Sequence, residues 1–233
     1  MRGQFVACFV VIGGCAICIT AGCSQAESPP PAPASTQSSA GSQVISDIGL
    51  GRLTAHTYTH DYFNLSVTIP DEWYIQNRRE SDRLMQAGVA AFRPDDQPAV
   101  QMSQQYTLNL LSAFRHPPGT PDVSNHSLML MAEDVSILPG LKHGQDFLYT
   151  TRQSMAKITT IKFECGPIET GFKIGSLPAA RMQVVIFDTS GQEVYQDYYA
   201  ARRGDYFLAV VLSYSDDDEL DSLLEIMESL KAR

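Results

Sequence analysis

Beyond Cys23 the chain holds one cysteine, Cys165, in 210 residues. No disulfide can form within that body, so an apolar core rather than cross-links must carry its fold. Basic side chains are scarce as well. Apart from Arg2, the first 23 residues are uncharged, and the rest sets 16 Lys and Arg against 26 Asp and Glu. Nucleic-acid binders show basic patches that displace phosphate counterions, and this balance argues against such a partner. A nucleophile elbow is missing too: Gly175-Ser176 lacks the second glycine and runs into Pro178. No catalytic residue, metal ligand or cofactor motif is assigned, and the reading is of a protein that is not an enzyme.

What the chain does have begins at its N-terminus. Arg2 is followed by 18 uncharged residues, Phe5 to Gly22, and then by the small residues Ala21-Gly22 before Cys23. A basic start, an apolar run and small residues before a break are the parts of an export signal. Ile19-Thr20-Ala21-Gly22-Cys23 resembles the lipobox of bacterial lipoproteins, in which the cysteine is acylated and becomes the mature N-terminus. Cys15, after Ile12-Gly13-Gly14, would leave an apolar run of about seven residues, the bottom of the usual range. The assignment is therefore residues 1–22 as a lipoprotein signal and Cys23 as the lipidated residue. An uncleaved helical anchor and a plain secretory signal are the alternatives, and both also place the body outside the cytoplasm.

Residues 23–52 carry the lipidated cysteine and a tether rich in Pro, Ser and Ala, with too little apolar surface to offset its ordering entropy. Residues 53–233 form the domain. Within it "YFNLSVTIPDEW", Tyr62 to Trp73, alternates Phe63, Leu65, Val67 and Ile69 against polar residues, which is the pattern of a half-buried strand. Arg78 to Gln86 is compatible with a helix, and Pro94 to Pro98 mark a loop. Strands are expected over 106–114, 127–135, 159–165, 180–187, 194–201 and 206–214, with a helix over 142–158. Ser215 and Asp218 suggest a capping box for a last helix with the stripe Leu220, Leu223, Leu224, Met227 and Leu230. Short turns favour antiparallel pairing. The fold class is α+β, an antiparallel sheet flanked by helices.

Phe63 to Trp73 is similar to the opening of PsbP-like domains, and Val194 to Tyr214 with the final helix looks like their ending. Asn64 and Glu72 stand where glycines are usual. The resemblance implies a Mog1/PsbP-like sandwich, a fold whose members mostly bind other proteins.

Several stretches invite a sharper chemistry. His56 and His60 lie four apart, but "HTYTH" favours a strand, where four residues span about 13 Å, too far for one ion. Asp216-Asp217-Asp218-Glu219 with Asp221 lacks the glycine of a calcium loop and reads as acidic helix-start charge. Cys165, next to Glu164, reads as a buried small hydrophobe with a raised pKa. His116, His126 and His143 are available to a cryptic hydrolase. Tyr195, Tyr198, Tyr199, Arg202 and Arg203 combine the residue types enriched in interface cores and are the candidate partner surface. The function expected is a membrane-anchored envelope lipoprotein whose non-catalytic domain binds a protein partner or envelope component. Its place is the periplasmic face of the outer membrane, or the outer face of the plasma membrane where there is no outer membrane. A small-ligand or lipid carrier is the alternative, and a hydrolase the third reading.

Overall fold

The computed structural model describes residues 5–12, 15–22, 48–81, 106–121, 123–136, 140–159, 162–187 and 193–232, and the single positions 83, 95 and 138. Cys23, most of the tether and the expected 94–98 loop, apart from position 95, lie outside the described residues. The apolar N-terminal run forms a separate antiparallel pair, β1 (Phe5–Ile12) and β2 (Cys15–Gly22). Among the described residues no helix is long and apolar enough to cross a membrane.

The domain opens with three short strands, β3 (Arg52–Thr54), β4 (Thr57–His60) and β5 (Leu65–Thr68), followed by the two-residue β6 (Tyr74–Ile75). The expected strand over 62–73 is thus regular only at its centre. Phe63, Ile69 and Trp73 are nevertheless buried, as the alternation requires. Next come β7 (Thr107–Phe114), β8 (Ser127–Asp134) and helix α1 (Gly144–Met155). Four long strands follow: β9 (Lys162–Ile174), β10 (Leu177–Phe187), β11 (Glu193–Arg203) and β12 (Tyr206–Tyr214). Helix α2 (Asp217–Ser229) and the short β13 (Lys231–Ala232) close the chain.

Every ladder is antiparallel. The large sheet runs β6-β7-β8-β12-β11-β10-β9 and the small one β13-β5-β4-β3. Together with α1, α2 and the helical residues 78–81, which fall on the expected helix-compatible stretch, this is the α+β architecture expected from the sequence.

Strand β12 explains the layering. "YFLAVVLSY" is apolar at nearly every position, and all nine residues are buried, as a central strand covered on both faces demands. Phe207, Ala209 and Val211 point into a core shared with Phe147, Leu148 and Met155 of α1. Leu208, Val210 and Leu212 point the other way, into a second core with Leu65 and Val67 of the small sheet and Leu223 and Ile226 of α2. Fully burying one such side chain stabilises by about 1.5 to 3 kcal/mol.

Both helices begin as dipole electrostatics dictate. Asp146 in the first turn of α1 accepts the backbone N–H groups of His143 (2.8 Å) and Lys142 (2.9 Å), and these bonds hold its carboxyl below the usual range. Gly144 sits so close to the Ala200 carbonyl that a Cβ would collide with it, which lets α1 press directly on β11. The cap of α2 is Asp216, which accepts from Glu219 N at 2.9 Å, while the Glu219 carboxylate accepts from Ser215 N at 2.7 Å. The reciprocal pair is thus not the expected Ser215 with Asp218. The stripe also centres on Leu223, Ile226 and Leu230, leaving Leu220, Leu224 and Met227 half-buried at its flank.

Candidate functional site: a half-covered sheet face

Side chains alternate along a strand, so the five candidate partner residues cannot share one surface. Tyr198 is buried on the α1 face, where its hydroxyl donates to Gln196 Oε1 at 2.5 Å. Arg202 shares that face and is tied down there, donating from Nε to Gly204 O at 2.8 Å and from Nη1 to Leu141 O. Tyr199 is buried on the opposite face, edge-on to Phe172 with centroids 5.7 Å apart, and burial pushes its hydroxyl up to about 12. Arg203 pairs with Tyr206 at one end of β11, whereas Tyr195 lies at the other. Tyr198 and Tyr199 are therefore core residues, and the five do not form a patch.

The structure assembles a different surface around Tyr195. Along β10, Met182, Val184 and Ile186 are buried under α1, while Arg181, Gln183, Val185 and Phe187 are half-buried on the other face. Among the described residues, that other face carries the small sheet and α2 over its centre, and the β9-β10-β11 side is only partly buried. The register sets Val185 between Glu164 and Tyr195, and Phe187 between Lys162 and Glu193. Lys162 sits over the Phe187 ring at 3.9 Å and pairs with Glu164 at 2.8 Å. Tyr195 stacks on Tyr214 with centroids 5.8 Å apart, and its hydroxyl donates to Glu193 at 2.7 Å, a carboxylate contact that raises its pKa.

Beside this row lies a fixed polar group. Arg181 grips the buried Asp197 from Nη2 (2.8 and 3.0 Å) and Nε (3.1 Å), and reaches Glu169 at 3.3 Å. Burial nevertheless raises the Asp197 carboxyl above its ordinary value, against the pull of Arg181. Gln183 donates to the Tyr214 hydroxyl at 2.8 Å. The result is a rigid floor whose apolar members, Val185, Phe187 and Tyr195, are set among satisfied polar groups. Sequence alternation in "RMQVVIF" could have located this face, since Val185 and Phe187 fall on the phase of Arg181 and Gln183.

Other candidate chemistry resolves locally. His56 Nε2 is 3.7 Å from Asp71, whereas His60 is buried, 3.3 Å from Gly49 O, and burial lowers its pKa. Among the described residues no group of three His, Cys, Asp or Glu could hold a metal ion. His126 Nδ1 lies 3.4 Å from Glu219 Oε1 with Trp73 edge-on at 5.1 Å, and the neighbouring hydroxyls of Ser124 and Ser215 contact each other at 3.4 Å. Neither ring nitrogen of His126 hydrogen-bonds a described hydroxyl, so the nucleophile-to-base link of a hydrolase is not made there. His143 caps α1, and the backbone N–H of His116 donates to Asn125. Cys165 is half-buried with Sγ 3.7 Å from Met155 Sδ; burial raises its thiol pKa, not the neighbouring Glu164. An open cavity of about 480 Å³ lies beside α1, lined by Leu141, Gln145, Asp146, Tyr149, Thr150 and Ile168.

No protein-family model and no curated protein matches the chain. Solved structures of similar shape are found. Cyanobacterial PsbP (CyanoP) from Synechocystis sp. PCC 6803 aligns over 79% of this chain and 96% of its own, with 12% identity and a TM-score of 0.46. LpqN, involved in cell envelope biogenesis of Mycobacterium tuberculosis, aligns over 72% and 82%, with 11% identity and a TM-score of 0.40. The Saccharomyces cerevisiae Ran-binding protein Mog1p aligns over 72% and 89%, with 9% identity and a TM-score of 0.39. The match to a Bacteroides thetaiotaomicron VPI-5482 structure spans about half of that protein, 49% of its length, at 11% identity and a TM-score of 0.39.

Proposed function

We propose that this protein is a cell-envelope lipoprotein, anchored through an acylated Cys23, whose domain is a non-catalytic module for binding a protein partner on the half-covered face of β9, β10 and β11. The observation that carries the binding site is the burial contrast along β10: one side sealed by α1, the other leaving Val185 and Phe187 half-buried beside Tyr195. A sheet with fixed polar groups and accessible apolar ones suits a partner that covers it, because the floor needs no rearrangement on binding. The anchor and the envelope location rest on the uncharged run before Cys23 and its lipobox-like small residues.

The test places a photoreactive residue at Val185 in the membrane-bound protein, and a second at Lys157, after α1. A discrete adduct from position 185 that is lost in Tyr195→Asp, with little from position 157, is the expected result. Equal adducts from both positions would sink the proposed face. Fatty-acid labelling that persists in Cys23→Ser would sink the anchor.

The open cavity beside α1 favours a second reading, a small-ligand carrier. Apolar ligands would then protect Tyr149 rather than Tyr195.

A further inference from the structure

We propose that the end of the small sheet where the chain enters the domain, bearing Leu50, Leu53 and Tyr62, docks on the headgroup boundary of the bilayer that holds Cys23. The inference rests on the anchor reading and concerns a surface separate from the partner face.

Three of the large apolar side chains that face solvent fall here: Leu50 is 39% exposed, Leu53 46% and Tyr62 52%. Single exposed leucines are ordinary, so their grouping is what matters. The β3–β4 ladder pairs Arg52 with Thr59, which runs the chain before β3 alongside the chain after β4. Side chains fasten the two: Tyr58 donates to Leu50 O at 2.8 Å, and His60 Nε2 lies 3.3 Å from Gly49 O. Leu50 and Tyr62 thus lie at the same end of the small sheet, with Leu53 three residues along the edge strand β3, opposite Tyr58.

Tyr62 is also held rigidly. Its ring meets Phe63 edge-on at 5.0 Å and Tyr206 edge-on at 5.7 Å, and both of those rings are buried. A tyrosine fixed with half its ring outward offers an apolar body and a polar tip, the combination that settles at headgroup depth.

The position of the leash points to the occupant. Twenty-four residues, 24 to 47, separate Cys23 from Ile48, which packs against the core two residues before Leu50. The surface beside that attachment is the part of the domain nearest the membrane anchor in the chain, at an effective concentration in the millimolar range, where weak partitioning is enough. Charge adds no attraction. Arg52 and Asp61 face each other at 3.8 Å, and the chain carries a formal charge of -9. Docking is apolar in character and suits a zwitterionic surface, with anionic lipid opposing it at low salt.

The test uses the full chain purified from membranes, with its intact mass read first for acylation at Cys23. It is then reconstituted in phosphatidylcholine vesicles containing gadolinium-chelate headgroups. Relaxation enhancement should peak at the Leu50 and Leu53 methyls and the Tyr62 ring. It should fall at least three-fold in Leu53→Ser with Tyr62→Ser, and fall when phosphatidylglycerol is added at low salt. Melting of the double variant in detergent checks that it is folded; Leu53→Asp alone, leaving the aromatic contacts intact, must show the same fall. An acylated protein with enhancement spread evenly, or centred on another face, overturns the docking and leaves the anchor standing. A protein without the acyl mass overturns the anchor and the docking with it.

Discussion

Glu133 and Glu219 are carboxylates whose surroundings move them in opposite directions. Glu133, near the end of β8, has Oε2 sealed from water without a hydrogen-bond partner, and burial pushes its pKa up to about 8, the bond with Thr107 pulling weakly the other way. A folded-state pKa above the unfolded one means stability that is full below about pH 4.5 and is lost as pH rises toward 8. Glu133→Gln should therefore match the parent near pH 4.5 and exceed it in urea midpoint at pH 8.5. Burial would likewise raise Glu219, but the close approach of His126 and hydrogen bonds from Ser124 and the Ser215 N–H outweigh it and leave the pKa lowered. That stability is present above the ordinary carboxylate range and disappears as pH falls through the folded value. Glu219→Gln should cost about 1 to 2 kcal/mol at pH 7, with the deficit shrinking on acidification in the same urea series. Neither behaviour was legible from sequence. "MAEDV" and "DDDEL" look alike as charged ends, and only the packing of Thr107 and Phe207 beside one and His126 beside the other separates them.

At the scale of elements, the long patterned segments were readable. The expected segments 106–114, 127–135, 142–158, 194–201 and 206–214 fall on β7, β8, α1, β11 and β12, the first three elements stopping one to three residues inside the expected bounds, because each segment is either periodic or, like β12, apolar on both faces and buried accordingly. Strand β9 was expected to end at Cys165, before Gly166-Pro167. It continues to Ile174 because it is the edge of the large sheet, where bulges absorb a proline that lacks an N–H. The C-terminal clasp was also unreadable, since two residues give no periodicity. There β13 pairs with β5, and Ser176 donates to Ala232 O from both its N–H (2.9 Å) and its hydroxyl (2.6 Å). Gly175 makes this closure feasible with φ +57 and with Ala232 N where a Cβ would stand. Gly175→Ala should lower stability by about 2 kcal/mol or more, seen as an earlier urea midpoint with early proteolysis at the C-terminus.

Across the whole molecule, cysteine placement carries the expectation of an anchored location, whereas the proposed partner face is visible only in three dimensions. "YQDYYAARR" supplies interface-type residues, but alternation distributes them over two cores, a terminus and a turn. The surface that remains accessible is defined by what fails to cover it. Among the described residues, a small sheet and one helix are too narrow to roof seven strands, and no local sequence signal records that shortfall.

One consequence follows from the burial of all nine residues of β12. The strand is a party wall: its odd and even positions belong to different interiors, and its backbone is shared by both. A cut or a register slip there opens two hydrophobic compartments at once, so this domain cannot be divided into independently folding halves, nor can one core melt while the other stays dry.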